Sequence, residues 1–363
     1  MQGIFTISLD FELHWGGFEK WELGGSITAL QDEKGRIVSR SELRASGVRS
    51  TYRQYFLNTR LVIPEMLHAF ESKDVHVTWA TVGLLFHEDK NELIAGMPFL
   101  KPSLQQKELS AYHYIDHVGI GASEPEDPFH YGLNLLRQIK NTPHQEIGSH
   151  TFAHYYACEA GQTAEQFRAD LQAAQRTAKK QGLALKSLVF PRNQVNDAYL
   201  KICYEEGFRS IRTNPTDWFW HIESAGKETI WKRLNRGMDA YFNTGNKKSF
   251  AVSDLLVREG EPLRIPASRL MRPYSPSQLF LNRMKVKRIQ TEMEEAAKAK
   301  EMYHLWWHPH NFGHFPQENM EALQQILAHF KYLNKKYGME SYSMSEIADL
   351  VMGSEKSIQR TGS

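Results

Sequence analysis

The chain has 363 residues, of which 41% are hydrophobic, 24% charged and 12% aromatic, and its formal net charge is +2. This balance gives no sign of a nucleic-acid-binding protein, which would show a concentrated basic face, and α/β barrels commonly reach this length as one domain. No apolar run approaches the roughly 18 residues that span a bilayer, and the N-terminus lacks the basic and apolar regions of a signal peptide. The two cysteines are too few for a disulfide framework. We therefore expect a cytoplasmic protein.

The first predicted element is a short buried strand that ends in two carboxylates. An apolar run over residues 4–9 predicts the strand, and Asp10 and Glu12 lie at its C-terminal end. Residues two apart on an extended backbone point the same way, so both acids can face one site. Two neighbouring carboxylates ionise together at a cost unless a cation lies between them, which points to a metal ion. A solvated turn with two acids gives the same pattern, and this stretch alone does not separate the two interpretations.

The next segments alternate between helices and strands. After a Gly-rich loop over residues 16–50, a helix begins near Leu61 and a second strand covers residues 75–83, a βαβ pattern that favours a parallel sheet. Residues 88–130 contain four prolines and are interpreted as an insertion. A helix over residues 131–140 then leads to a strand that ends at His150. The clearest helix of the chain covers residues 162–182, with a capping box at Thr163 and Gln166.

Two later stretches supply histidines at strand ends. His150 and His154 are four residues apart, a spacing that a helical turn would bring onto one face. An HxxxH pair is a weak signal by itself, because the chain contains 16 histidines. Together with Glu12, however, the pair offers two nitrogens and one oxygen and leaves positions open, as a catalytic metal site requires. Near the C-terminus, another apolar strand ends at His308.

The rest of the chain continues the same alternation. We expect strands at 188–190, 208–212 and 263–268, helices near 197–206, 285–300 and 317–336, and a short helix from Ser345. Polar residues follow the C-terminal ends of the strands, which is where barrel enzymes build their active sites. The pattern therefore predicts an α/β fold with a parallel sheet.

These motifs resemble those of the polysaccharide deacetylase family, also called the NodB-homology group or carbohydrate esterase family 4. In that family a strand-end Asp-x-Asp/Glu supplies a catalytic base and a metal ligand. A His-(Ser/Thr)-x-x-His motif supplies two more ligands, and a late Leu-x-x-His motif supplies the general acid. The positions that match, in the family's order, are Asp10, Glu12, His150, His154 and His308. The resemblance implies a distorted seven-stranded (β/α) barrel, here with insertions.

The family's third motif, Arg-x-Pro-(Tyr/Phe)-Gly, is altered in this chain to Val189-Phe190-Pro191-Arg192-Asn193-Gln194. The resemblance suggests Arg192 as the arginine beside the base and Asp217 as the acid that tunes His308. Residues next to the motifs are further candidates for substrate contacts, namely Trp15, Asn193, Trp307 and His310.

We expect one catalytic domain over residues 1–350, with insertions near 16–58, 88–130 and 216–262, followed by a polar tail over 351–363. Residues 218–247 combine several tryptophans with lysine and arginine. A partly buried connector is the plainer interpretation of this segment. The alternative is a surface that associates peripherally with an anionic membrane, at its inner face. The sequence does not indicate the oligomeric state.

The predicted reaction is metal-dependent hydrolysis of an N-acetyl group on a sugar or oligosaccharide. One divalent ion, with Zn²⁺ as first choice, suits imidazole and carboxylate ligands with open positions, although affinity order alone does not fix the metal. A zincin would need Glu where Thr151 stands, and an iron oxygenase would leave Asp10 without a role. Because the third motif is altered, an inactive carbohydrate-binding protein with the same fold is the alternative from another class.

Overall fold

The structure is a computed structural model that describes residues 2–23, 52–221, 230–239, 241, 245–255 and 257–361. Parts of two predicted insertions, residues 24–51 and 222–229, lie outside the described residues, as do the last two residues of the predicted tail. Within the described ranges, no helix is both long and apolar enough to cross a membrane.

One parallel sheet forms the centre of the molecule. Its strands are β1 (Ile4–Phe11), β2 (Val77–Thr81), β3 (Gln145–Ser149), β4 (Ser187–Val189), β5 (Ser210–Thr213), β6 (Leu263–Pro266), β7 (Arg269–Leu270), β8 (Met302–Trp307) and β9 (Glu340–Ser341). The strand order is β6-β5-β4-β3-β2-β1-β8-β7, and β9 pairs with β1. Every residue of β1 is buried, which agrees with its place in the middle of the sheet.

The sheet is curled because its two end strands, β6 and β7, are consecutive in the chain. Only Ala267 and Ser268 separate them. The backbone N–H of Ala267 donates to the carbonyl of Thr213 on β5 (2.9 Å), and that of Ser268 donates to the carbonyl of His304 on β8 (2.8 Å). The expected (β/α) barrel is thereby confirmed. The strand count differs from seven, because this extended segment is divided into two short strands and β9 is added at the edge of β1.

Helices connect the strands and pack against the sheet. Their bounds are Tyr52–Ser72, Lys90–Gly96, Ala111–His117, Leu133–Asn141, Ala164–Lys180, Leu200–Glu205, Ile230–Asp239, Leu279–Ala299, Pro316–Tyr337 and Met344–Thr361. Single 3-10 turns directly follow several strands, at Leu13–Gly16, Gly83–Phe86, Pro191–Asn193 and Pro309–Phe312. The capping box predicted from Thr163 and Gln166 is present. The last helix continues into most of the predicted polar tail.

Side chains of β1 alternate between two environments. Ile7, Leu9 and Phe11 belong to the main apolar core, whereas Ser8 and Asp10 bond to polar groups from other strands. Because successive side chains of a strand point to opposite faces, the polar set marks the interior of the barrel. The carboxyl ends of parallel strands meet at one edge, and the residues that follow β1, β3 and β8 come together there.

Candidate active site

Glu12 lies between two imidazoles at this edge. Its Oε1 is 2.9 Å from Nε2 of His150 and 3.2 Å from Nε2 of His154. All three side chains are buried, and none is more than 3% exposed. Their ligand atoms are close enough together to hold one metal ion. The structure thus brings together the three residues that the sequence predicts as ligands.

A loop, and not the helical turn expected from the HxxxH spacing, brings the two imidazoles together. Thr151 and His154 have positive φ angles of 62° and 53°, which non-glycine residues adopt only occasionally and β-branched residues rarely. Asp170 fixes this conformation, because its carboxylate accepts hydrogen bonds from the backbone N–H groups of Phe152 (2.6 Å) and Ala153 (3.2 Å). Burial raises the pKa of Asp170 to about 7.

The donor set fits a divalent metal ion. Burial opposes ionisation of Glu12, but the neighbouring His308, His150 and His154 outweigh it and hold the pKa of this carboxyl well below its usual range. Burial also lowers the pKa of His150, which favours the neutral imidazole that binds metals. The oxygen–nitrogen separations are slightly shorter than the roughly 3.3 Å between ligands of a tetrahedral ion with bonds of about 2.05 Å. Only a small adjustment would be needed to accept an ion.

Asp10 is paired with Arg212. The guanidinium donates from Nη1 to Oδ1 (2.6 Å) and from Nη2 to Oδ2 (2.7 Å), and both side chains are buried. Burial by itself would raise the pKa of Asp10, but the charges of Arg212, His150 and His308 together bring it below its usual range. Asp10 is therefore ionised and held in one orientation.

Arg192, which the altered third motif suggested as the partner of Asp10, lies elsewhere. Its guanidinium is paired with Glu19, and its Nε donates to the hydroxyl of Tyr156 at 3.3 Å. The side chain is 31% exposed, whereas that of Asp10 is buried. Arg212, and not Arg192, is therefore the arginine paired with Asp10, because the reversed order of proline and arginine places the Arg192 side chain after the strand instead of on it.

The arginine beside Asp10 comes from the neighbouring strand. Arg212 lies on β5, where its Cα is in register with Val189 of β4. Val189 is two residues before Pro191, which is the position of arginine in the Arg-x-Pro motif. Arg212 on β5 therefore enters the barrel at the same level as an arginine at position 189 of β4 would.

Further contacts hold Arg212 in place. Nη1 donates to Oγ of Ser8 (3.0 Å), and Nη2 donates to Oδ1 of Asn193 (2.9 Å). The guanidinium carbon is 4.2 Å from the centroid of the Trp306 ring, close enough for a cation–π interaction. His304 contacts Ser8 in turn, with Nε2 2.9 Å from Oγ. Asn193, predicted as a substrate contact, is thus engaged in holding the arginine.

His308 is the most exposed member of the group, at 27% of its side chain. Its Nε2 is 3.6 Å from Oδ2 of Asp10 and 3.8 Å from Oε1 of Glu12. These three residues form a second set whose atoms could approach one ion. His308 therefore faces the same small space as both carboxylates, from the solvent side.

His310 packs behind His308. The two rings are stacked with centroids 4.9 Å apart, and Nδ1 of His310 is 3.8 Å from Oε2 of Glu12. Burial, and after it the charge of His308, lowers the pKa of His310 to about 3, so this imidazole is neutral. Since only 3% of it is exposed, it supports the site from within and does not offer the substrate-binding surface that the sequence predicted.

Asp217 lies in a different polar cluster from the one predicted. It forms a buried ion pair with Lys248 and accepts a hydrogen bond from the backbone N–H of Asn246 at 2.7 Å. No hydrogen bond or ion pair among the described residues joins it to His308. The prediction that Asp217 tunes the acid histidine is therefore corrected, because a buried lysine already occupies its carboxylate.

Two predicted aromatic contacts are wrong for a common reason. Trp15 and Trp307 are both fully buried in the apolar core, where a sugar cannot reach them. Trp307 occupies the outward face of β8, whereas Trp306 points inward to Arg212 and lies 5.8 Å from the ring of His308. Period-two alternation places residue 306, and not 307, on the same face as residue 308.

Sequence reasoning missed Arg212, Asp170 and Trp306. The alternation along β8 is a signal that could have identified Trp306. Arg212 carries no local signal, since it meets Asp10 across 202 positions of the chain. Asp170 lies within a regular helix, where its position next to the histidine loop becomes visible only in the folded chain.

Comparisons with known proteins bear on the fold. No family model matches the sequence, and no curated protein matches it. A solved structure assigned as a polysaccharide deacetylase from Mycobacterium smegmatis has a TM-score of 0.55 at 12% identity, covering 97% of this chain and 91% of that one. Another so assigned, from Pseudomonas aeruginosa PAO1, has a TM-score of 0.51 at 12% identity, covering 95% and 89%. The chain therefore has the polysaccharide deacetylase fold.

Proposed function

We propose that this protein is a metal-dependent hydrolase that removes the N-acetyl group from a sugar or oligosaccharide. The observation that carries the proposal is the convergence of five side chains at the carboxyl edge of the barrel, Asp10, Glu12, His150, His154 and His308. Three of them form a ligand set with open positions, and the other two offer a base and an acid beside it. The similar fold of structures assigned as polysaccharide deacetylases supports the same class of reaction.

Glu12, His150 and His154 would hold the ion, for which Zn²⁺ is the first choice. When bound, such an ion polarises the amide carbonyl and lowers the pKa of a coordinated water. Glu12 supplies the negative charge among these three ligands. Asp10, whose two oxygens accept hydrogen bonds from Arg212, is assigned to the base and not to the ligand set.

Asp10 accepts the proton of the attacking water. Each carboxylate oxygen has two lone pairs, so each can accept a further hydrogen bond beside that of Arg212. Because its pKa is lowered, Asp10 is a weak base. The proton transfer therefore depends on a water whose own pKa is also lowered and on a fixed geometry between the two groups. Arg212, Ser8 and Asn193 supply that geometry through their hydrogen bonds.

His308 donates a proton to the leaving amine. It is the member of the group that solvent and substrate reach most easily, and Nε2 faces the space beside Asp10 and Glu12. An amide bound in this space is therefore within reach of the base and the acid together. General acid and base groups typically contribute roughly 10²–10⁴-fold each.

Metal analysis beside a deacetylation assay tests the proposal. The Zn²⁺-loaded protein would be incubated with N-acetylated monosaccharides and oligosaccharides, and hydrolysis measured as acetate release and a mass loss of about 42 Da. Glu12→Ala should lose the metal, since two histidines alone hold a catalytic ion poorly. Asp10→Asn should keep near-stoichiometric metal and lose roughly 10²-fold or more of its turnover. Glu65→Ala, an exposed site on the first helix, is the matched control and should change neither quantity.

The same assay separates the hydrolase from an inactive carbohydrate-binding protein. Such a protein would bind N-acetylated oligosaccharides without releasing acetate. Retention of metal in Glu12→Ala, or undiminished turnover in Asp10→Asn, would show that the roles of the two carboxylates are assigned wrongly.

A further inference from the structure

The helix Ile230–Asp239 has an exposed apolar face. Ile230, Trp231, Leu234 and Met238 are 72%, 72%, 51% and 47% exposed. At 100° per residue these four positions fall within about 100° of one another, so they form one stripe. Soluble monomers rarely expose a contiguous group of large apolar side chains unless it contacts something else.

A second helix also begins with exposed apolar side chains. Leu279 and Phe280, at the start of helix Leu279–Ala299, are 66% and 75% exposed. One hydrogen bond links the segments next to the two helices: the hydroxyl of Tyr241, just after the first helix, donates to Oε1 of Gln278, immediately before the second, at 2.8 Å. We call the six side chains of the two helices the docking face, namely Ile230, Trp231, Leu234, Met238, Leu279 and Phe280.

The two segments that carry the docking face contain cations and no anions, although Lys285 and Arg288 among these cations are largely buried. Segments 230–238 and 279–291 contain seven lysines and arginines and no aspartate or glutamate. Aromatic and aliphatic side chains flanked by cations are typical of helices that lie in the headgroup region of an anionic bilayer. A second copy of this chain would bring like charges together, which disfavours self-association through this face.

A short series of contacts connects the docking face to the candidate active site. The guanidinium carbon of Arg236 lies 5.3 Å from the ring centroid of Trp220. Trp220 contacts Trp306 with ring centroids 6.0 Å apart, and Trp306 contacts His308 at 5.8 Å. The helix Ile230–Asp239 is therefore near the rim from which His308 is exposed, and Arg236 contacts the barrel from the side of the helix opposite the apolar stripe.

A hydrogen bond to the helix Ile230–Asp239 supports the same position for this helix. Nη2 of Arg272 donates to the backbone carbonyl of Arg236 at 2.7 Å. Arg272 lies two residues after Leu270, the last residue of β7, which is in register with Trp306 of β8. The helix Ile230–Asp239 is thus attached at the carboxyl edge of the barrel, beside the strand that precedes His308.

We propose that the docking face binds the surface of an anionic membrane. The apolar side chains enter the boundary between headgroups and acyl chains, and exposed cations of the second helix, such as Arg283 and Lys287, attract the anionic lipids. Docking in this way brings the open edge of the barrel close to the lipid surface. The proposal concerns binding alone and does not depend on hydrolase activity.

Flotation with lipid vesicles tests the proposal on the full-length protein. We expect it to float with vesicles that contain about 30% phosphatidylglycerol and to remain behind with pure phosphatidylcholine vesicles. Raising the salt to about 0.5 M should weaken the binding severalfold. The double variant Trp231→Ala with Leu234→Ala should bind roughly 10-fold more weakly. Phe99→Ala, which removes a fully exposed aromatic ring on another part of the surface, is the control and should bind like the wild type.

A pair of charge variants separates the basic surroundings from a general effect of net charge. Arg283→Glu, at an exposed position of the second helix, should weaken binding to anionic vesicles severalfold. Lys201→Glu, at a position whose side chain is 78% exposed on a different helix, should leave it nearly unchanged. Circular dichroism melts should show that all variants are folded, because the substituted side chains are exposed.

Three results would overturn the proposal. One is equal binding of the wild type to neutral and anionic vesicles, and another is an equal loss in Phe99→Ala. The third is a dimer, seen by light scattering, that dissociates in the double variant, since the face would then join two copies of the chain. The vesicle assay needs neither metal nor turnover, so its failure is separate from a failure of the proposed hydrolase activity.

Discussion

Replacing Arg212 with alanine would leave the carboxylate of Asp10 buried without its cation. The side chain of Asp10 is only 3% exposed and that of Arg212 only 1%, so the substitution leaves a largely desolvated charge without its partner. Breaking a buried ion pair from one side typically costs about 3–5 kcal/mol. We therefore expect Arg212→Ala to lower the free energy of unfolding by about 3–5 kcal/mol at pH 7.

A double-mutant cycle with Asp10→Asn isolates the interaction. In the double variant neither charge remains, so its loss of stability should be smaller than the sum of the two single losses, by about 2–3 kcal/mol. Urea unfolding followed by tryptophan fluorescence measures the four free energies, provided that the m-values of the variants agree. The metal-free protein should be used, so that differences in metal content do not contribute to the stability.

The pH dependence gives an independent check. Because the folded pKa of Asp10 lies below its usual range, the contribution of the ionised carboxyl is present at neutral pH. It is lost as the pH falls below the unfolded value of about 3.9 and through the lowered folded value. Arg212→Ala should therefore lose less additional stability on acidification than the wild type.

Arg192→Ala is the matched control for the cycle. Its guanidinium is partly exposed and paired with Glu19, so its coupling to Asp10→Asn should stay below about 0.5 kcal/mol. Equal coupling energies for Arg192 and Arg212, or a coupling near zero for Arg212, would refute the assignment of Arg212 as the partner of Asp10.

Other substitutions test the surroundings of the site. Asp170→Asn should flatten the pH dependence of stability. Burial raises the pKa of Asp170 in the folded protein from 3.8 to about 7. The stability that protonation of this carboxyl contributes is therefore complete below about pH 4 and is lost as the pH rises through 7. A shift of this size corresponds to at most about 4 kcal/mol, measurable by urea unfolding of both proteins from pH 4 to 8. Asp217→Ala should cost about 2 kcal/mol, because Lys248 keeps Asp239 as a neighbour at 3.3 Å, and should leave kcat unchanged in the deacetylation assay. Exchanging Val189→Arg with Arg212→Val should recover part of the stability that Arg212→Val alone loses in the same unfolding assay, since the two positions are in register.

The fold and the first carboxylates could be predicted because they depend on local patterns. The apolar run of β1 indicates a buried strand, and its period of two places Asp10 and Glu12 on one side. Helices between apolar strands indicate a parallel sheet, whose carboxyl ends necessarily meet. The position of His308 at the end of β8 follows from the same rule.

Other parts of the site depend on contacts that no local pattern encodes. The histidine loop was predicted as a helical turn, yet two residues with positive φ and the distant Asp170 determine its conformation. The choice of Trp307 over Trp306 was an error that strand alternation could have prevented. Asp217 was a plausible acid by its position, but the buried Lys248, 31 positions later, determines what it contacts.

Strand register explains how the chain keeps a cation beside Asp10 without the arginine of the third motif. Val189 and Arg212 are Cα partners on β4 and β5, and neighbouring strands are only about 4.8 Å apart. Val189 lies in the interior cluster with Ala80, the register partner of Asp10, so an arginine at either position enters the barrel at the same level. The position of the guanidinium orients the Asp10 carboxylate, and an arginine on either strand could supply it. The altered motif is therefore compatible with an ionised and oriented carboxylate at Asp10, as the proposed function requires.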